Sequence, residues 1–150
     1  MSRNPLIKIT KVLLDFMFFS GVIICTIVPF LFRYIGEHFY SSFETYYLPF
    51  CIIFIIAGIF ALVILWELRS MFRTVLKEDP FVKGNVVSLK RMGICAFIIA
   101  ACMAARLFFV ITLTALVLIL VFLIAGLFSL VLSFVFDQAV TYKQENDLTI

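Results

Sequence analysis

The sequence predicts an all-α membrane protein, a four-transmembrane-helix bundle with a short cytoplasmic amphipathic helix between helices two and three. Three observations predict it. Hydrophobic residues make up 65% of the 150-residue chain and charged residues 14%, with a mean hydropathy of +1.20. Soluble domains average about 45–50% apolar and about 25% charged, so water is not the solvent for most of this surface. The apolar residues also gather into runs of the length a bilayer demands, and the basic residues crowd into alternate connections. The length fits one membrane domain over 1–150.

The first apolar run, 12–32, is interrupted by Asp15 alone. The second, 48–66, carries no charge, and its helix is expected over 48–68. The third, 93–136, carries one charge, Arg106. About 20 residues cross a bilayer core as a helix, so the third run holds two crossings. Thr112 and Thr114 are the polar residues near its middle, which puts the turn around Ile111–Ala115 and the helices at 93–110 and 116–136. A loop over 69–92 and a polar tail over 137–150 complete the chain.

Basic residues in short loops mark the cytoplasmic side. Arg3, Lys8 and Lys11 precede helix one, and Arg69, Arg73, Lys77, Lys83, Lys90 and Arg91 lie between helices two and three. The first outer connection has only Arg33, beside Glu37 and Glu44. Both termini are therefore expected in the cytoplasm, in a multi-pass protein of the cell membrane. Tyr34, Phe39, Tyr40, Tyr46 and Tyr47 crowd the expected outer interface, and Trp66 the inner one, as aromatic belts do. The basic start and apolar run lack a small-x-small cleavage site, which reads as an uncleaved anchor.

Small residues allow close helix approach where no hydrophobic effect drives association. Helix three offers Gly93, Ala96, Ala100 and Ala104, helix four Gly126, Ser129 and Ser133, and helix two Ala57, Gly58 and Ala61. The pattern fits packing within one chain or a homo-oligomer interface. Ionisable residues inside spans are functional candidates when they lie deep. Asp15 sits roughly 6 Å inside the inner edge and Arg106 roughly 20 Å up helix three, at 1.5 Å per residue. A direct pair between them is not expected. Asp15 can pair with Lys11, and Arg106 can reach outward to Glu37 or Glu44.

Leu68, Met71, Phe72, Val75 and Leu76 recur at helical spacing, with Arg69, Arg73 and Lys77 as a separate basic stripe. This period makes an amphipathic helix, expected as a continuation of helix two that bends along the membrane, stopped by Glu78-Asp79-Pro80, with Asn85 as the cap of the next helix. The stripe suits either anionic lipid headgroups or a soluble protein. Cys25, Cys51, Cys95 and Cys102 all lie in apolar runs, no C-x-x-C occurs, and His38 is the sole histidine. No disulfide framework, metal site or cofactor is expected, nor any catalytic constellation, so the chain is not read as an enzyme. The +3 net charge is small, and direct nucleic-acid binding is not expected.

Two segments carry a resemblance. Lys77 to Gly93, with Pro80, Phe81, Asn85, Leu89, Lys90 and Arg91, and the ending Asp147-Leu148-Thr149-Ile150 resemble the signatures of the YoaS-like family. Those are small bacterial four-helix membrane proteins of unknown function. Ala139 stands where that family often has Gly. The resemblance implies a cytoplasmic partner, a small helix-turn-helix transcriptional regulator. Both segments are expected on the cytoplasmic face, where the tail can fold back onto the Pro80–Asn85 turn. The resulting interaction candidates are Arg69, Arg73, Lys77, Pro80, Phe81, Asn85, Lys90, Arg91, Asp147 and Thr149, in a regulatory protein. The alternative is a small oligomeric transporter or channel-like protein, in which Asp15 and Arg106 would matter most.

Overall fold

The structure is a computed structural model that describes residues 5–38, 47–77 and 79–148. Among the described residues the elements are four helices: α1 (Pro5–His38), α2 (Tyr47–Leu76), α3 (Lys83–Leu107) and α4 (Leu113–Leu148). All four are long and apolar enough to cross a membrane, so the chain is a multi-pass membrane protein. Each helix outruns the apolar stretch that announced it, because polar residues past the bilayer core continue the backbone ladder. Pro29 lies inside α1, which runs on to His38. The missing N–H of a proline is tolerated in membrane helices where neighbours satisfy the freed groups. The carbonyl that Pro29 leaves without its usual donor is that of Cys25, one turn earlier; the Pro29 carbonyl itself accepts a hydrogen bond from the Tyr47 hydroxyl at 2.8 Å, which ties the start of α2 to α1.

The amphipathic helix expected to bend along the membrane after helix two does not exist as a separate element. Leu68, Arg69, Met71, Phe72, Arg73, Val75 and Leu76 are the last turns of α2 itself. Nothing between Trp66 and Leu68 breaks the ladder, so the amphipathic period is one face of an uninterrupted helix. The expected cap also moves. Val82 occupies the N-cap of α3 and makes no side-chain cap bond, while Asn85 lies inside the first turn and is buried.

The turn between α3 and α4 falls at 108–112, a little earlier than expected. It needs neither Gly nor Pro. The Phe109 and Val110 amides bond back to the Arg106 carbonyl at 3.1 and 3.2 Å, closing α3. Thr112 then opens α4, its Oγ1 accepting the Ala115 amide at 3.2 Å, as an N-cap hydroxyl does.

Packing follows chain order. α1 lies on α2, α2 on α3 and α3 on α4, and among the described residues the α1 and α4 backbones do not come close to each other. The bundle is therefore an open array. Its centre is Ala57, Ile99 and Met103, surrounded by Ile53, Phe60, Ile64, Leu118 and Phe122. Gly93 and Gly126 face each other across α3 and α4: a Cβ on either would stand 3.1 Å from the other's carbonyl oxygen. The Ser129 hydroxyl donates to the Leu89 carbonyl at 2.6 Å across the same seam. Ala96 and Ala100 are buried and Ala104 is exposed. The small-residue stripe of α3 is thus largely used within the chain.

Candidate functional site

The polar chemistry of the described residues gathers at the end of the array that carries the loop between α2 and α3. It is built as a sequence of ties, one for each junction. Asp15 of α1 accepts from Arg69 Nε of α2 at 2.6 Å. The Arg69 guanidinium lies 5.0 Å over the Phe18 ring, with Phe19 and Trp66 at 5.7 and 5.6 Å. Arginine suits this place because its weakly hydrated plane stacks on aromatic faces while its edge meets a carboxylate. Glu67, one helical position before Leu68, is buried on α2 and pairs with Arg91 of α3 at 3.3 Å.

Asn85 holds the loop. Its Nδ2 donates to the Pro80 carbonyl at 2.6 Å and to Thr74 Oγ1 at 2.8 Å, joining loop, α2 and α3. Phe81 packs on Phe136 of α4 with ring centroids 5.2 Å apart. Lys143, further along α4, pairs with Asp79 of the loop. The former tail segment is helix through Leu148 and touches the loop side-on, through Phe136 and Lys143. Asp147 is exposed.

These contacts sort the sequence candidates. Arg69 leaves the basic stripe: it is half-buried in an ion pair, so Asp15 takes Arg69, and not Lys11, as its partner. Asn85, Pro80, Phe81 and Arg91 hold the loop and its neighbours together. Arg73, Lys77, Lys83 and Lys90 remain exposed on the rim. Arg106 lies at the opposite end, 5.2 Å over the Phe50 ring, far from Asp15; among the described residues it pairs with no carboxylate, Glu37 included. Thr149, Ile150, Glu44, Glu78, Arg3, Phe39, Tyr40 and Tyr46 lie outside the described residues. Among the described residues no group of three His, Cys, Asp or Glu comes together as a metal site would require.

Glu67, Thr74, Asp79, Phe136 and Lys143 were not among the sequence candidates. Glu67 carried a signal: it is the one acidic residue in 47–76, and a carboxylate at the edge of so apolar a helix calls for a partner.

Asn85→Ala is expected to remove both bonds that tie the loop to α2 and α3, while the Pro80 carbonyl keeps the Val82 amide and the Thr74 hydroxyl keeps the Met71 carbonyl. The cost is about 0.5–1.5 kcal/mol for each hydrogen bond lost. Melting temperature in detergent should fall and the 77–82 loop should become cleavable by protease, whereas Asp147→Ala should change neither.

The fold and its polar end define a four-span helical membrane protein with a braced loop face. The chain belongs to the family described as "Protein of unknown function (DUF2975)", whose profile it matches over residues 12–150. No curated protein and no solved structure matches it.

Proposed function

We propose that this protein is a membrane-anchored docking protein whose loop end holds a soluble regulatory partner in the cytoplasm. The observation that carries the reading is the far end of α4. Residues 137–148 continue the helix past the long apolar run that ends at Phe136, only Val140 in them is buried, and 141–148 are exposed throughout. A mostly polar, exposed helix end gains little from a bilayer and suits contact with soluble matter. Tyr142 and Leu148, 72% and 85% exposed, give it apolar contact points. Exposed Arg73, Lys77, Lys83 and Lys90 stand at the same end. Their excess over the basic residues at the other end argues that the loop end is cytoplasmic and that both termini are inside.

The YoaS-like resemblance points to the chemical kind of partner, a small helix-turn-helix regulator whose acidic surface would meet this basic rim. The transporter alternative would draw on a deep, unpaired carboxylate. Asp15 and Glu67, the carboxylates within the apolar spans, are each held by an arginine, which favours docking.

The test places a photo-crosslinking amino acid at Tyr142, and at Phe108 as a control on the opposite end. One soluble protein should crosslink at position 142 and not at 108. Reversing Arg73, Lys77 and Lys83 to Glu should abolish that crosslink while leaving membrane insertion and melting temperature unchanged. If the reversal lowers only affinity for anionic vesicles, the rim is a lipid anchor and the docking reading fails. Orientation has its own check: a reporter active only outside the membrane should be silent after Ile150 and active near Glu44.

A further inference from the structure

We infer that the open side of the helix array is a binding site for a single-chain carboxylate amphiphile, a free fatty acid, with Arg106 as its headgroup anchor. This inference is independent of the docking reading. Where the α1 and α4 backbones stay apart, a cleft of about 390 Å³ opens along α2, within the range of about 300–1,000 Å³ common for ligand pockets. Ile99 and Met103 of α3 form part of its floor, while Phe32 of α1 and Leu118 and Phe122 of α4 line its sides.

The shape is set by α2. The lining runs from Phe50 to Ala61 along that helix, roughly 16 Å at 1.5 Å per residue. Phe50 and Phe54 give bulk near the outer end, and Ala57, Gly58 and Ala61 open space further in. At that depth α1 closes on α2, since a Cβ on Gly58 would come within 2.6 Å of Cys25 Sγ. The result is an apolar slot of about 390 Å³ that runs along one helix, a size for one acyl chain.

Charge fixes the head. Arg106 is the one ionisable group among the lining residues. It is half-buried, stacked on Phe50, and without a carboxylate partner among the described residues. A guanidinium presents paired donors that match a carboxylate, and a cation held in apolar surroundings gains from an anion beside it. A slot for one chain ending at one arginine matches one acyl chain ending in one carboxylate.

The test uses the full chain in phosphatidylcholine nanodiscs and palmitic acid carrying a diazirine on its chain. Labelling should saturate, should map to Phe50–Ala61 and Ile99–Met103, and should be displaced by unlabelled palmitate but not by palmityl alcohol. Arg106→Gln should weaken displacement about tenfold or more, the range of one charge-assisted hydrogen bond. Arg106→Lys should retain most of it. Ala61→Phe, or Ala61→Leu where the larger residue unfolds the array, should block labelling by filling the slot. Unsaturable label spread over outward-facing Phe16 and Phe128 would overturn the proposal, since it reports bulk bilayer contact. Equal displacement by phosphatidylglycerol would overturn it in favour of the bilayer's own anionic lipid, and unchanged affinity in Arg106→Gln would remove the anchor.

Discussion

Gly93→Leu should separate α3 from α4 and produce one of the two largest losses of stability available to a single substitution in this chain. A Cβ at Gly93 would stand 2.9 Å from Leu130 Cγ and 3.1 Å from the Gly126 carbonyl oxygen. The leucine can rotate away. The carbonyl cannot, because it belongs to the α4 backbone ladder, so the helices must part. Parting them also stretches the 2.6 Å bond from Ser129 to the Leu89 carbonyl and opens the contacts of buried Ala96 and Ala100. In a bilayer nothing like the hydrophobic effect compensates, because packing itself drives helix association. Overpacking costs about 1–3 kcal/mol in well-packed cores, occasionally more, and the rigid partner here argues for the upper part of that range. Melting in detergent, followed by circular dichroism, should show a clearly lower midpoint for Gly93→Leu and a smaller loss for Gly93→Ala. Gly84→Leu is the control: nothing lies within 4 Å of a Cβ there, and leucine is a better helix former than glycine, so that variant should melt no lower than the parent. A wild-type midpoint for Gly93→Leu would mean that this crossing does not hold the array.

What the sequence made legible, and what it hid, follows from the range of each interaction. Span count rested on apolar runs such as 12–32 and 93–136, a property of consecutive residues, and the four helices are present. Helix ends were less legible. The period of Leu68, Met71, Phe72, Val75 and Leu76 announces a helix but says nothing about whether it is continuous with the one before, and here α2 runs through. The turn at 108–112 was displaced because its signal, Thr112, acts as a cap on α4 and not as the middle of the turn. The polar partnerships were the least legible. Asp15 and Arg69 are distant in sequence, and only the packing of α1 on α2 brings them together. Local reasoning offered Lys11 for the one and a basic stripe for the other. Similarly, Lys143 stands in a segment read only as a polar tail that can fold back on the loop, and it is the continuation of α4 that brings it to Asp79. The open face between α1 and α4 has no sequence signal at all, because it lies where the backbones of the first and last helices stay apart.

Arg69→Met should loosen α1 from the rest of the molecule, and Asp15→Asn should restore much of the loss. Among the described residues the α1 backbone packs on α2 alone, so the Asp15–Arg69 bridge is the described ion pair that ties it down. The two ends of this pair are not equivalent. Without Asp15, the guanidinium still has three aromatic faces, Phe18, Phe19 and Trp66, and a long stem that can reach the interface. Without Arg69, the short Asp15 carboxylate loses its described partner and has only Lys11, one turn earlier, to turn to. Both side chains are partly exposed, 20% and 32%, so the penalty falls below that of a fully buried broken pair and lies at about 1–3 kcal/mol, as for a charged group that loses its hydrogen bond. Asp15→Asn alone should cost less than Arg69→Met. The double variant should be more stable than Arg69→Met, because the uncompensated charge is gone, giving a coupling of about 0.5–3 kcal/mol between neighbouring sites. The readouts are the melting midpoint in detergent and the rate at which a thiol probe labels Cys25, which faces Gly58 of α2 across this junction. Labelling should speed up in Arg69→Met and slow again in the double variant. Additive losses in the double variant, or unchanged Cys25 labelling in Arg69→Met, would mean that apolar packing alone keeps α1 in place.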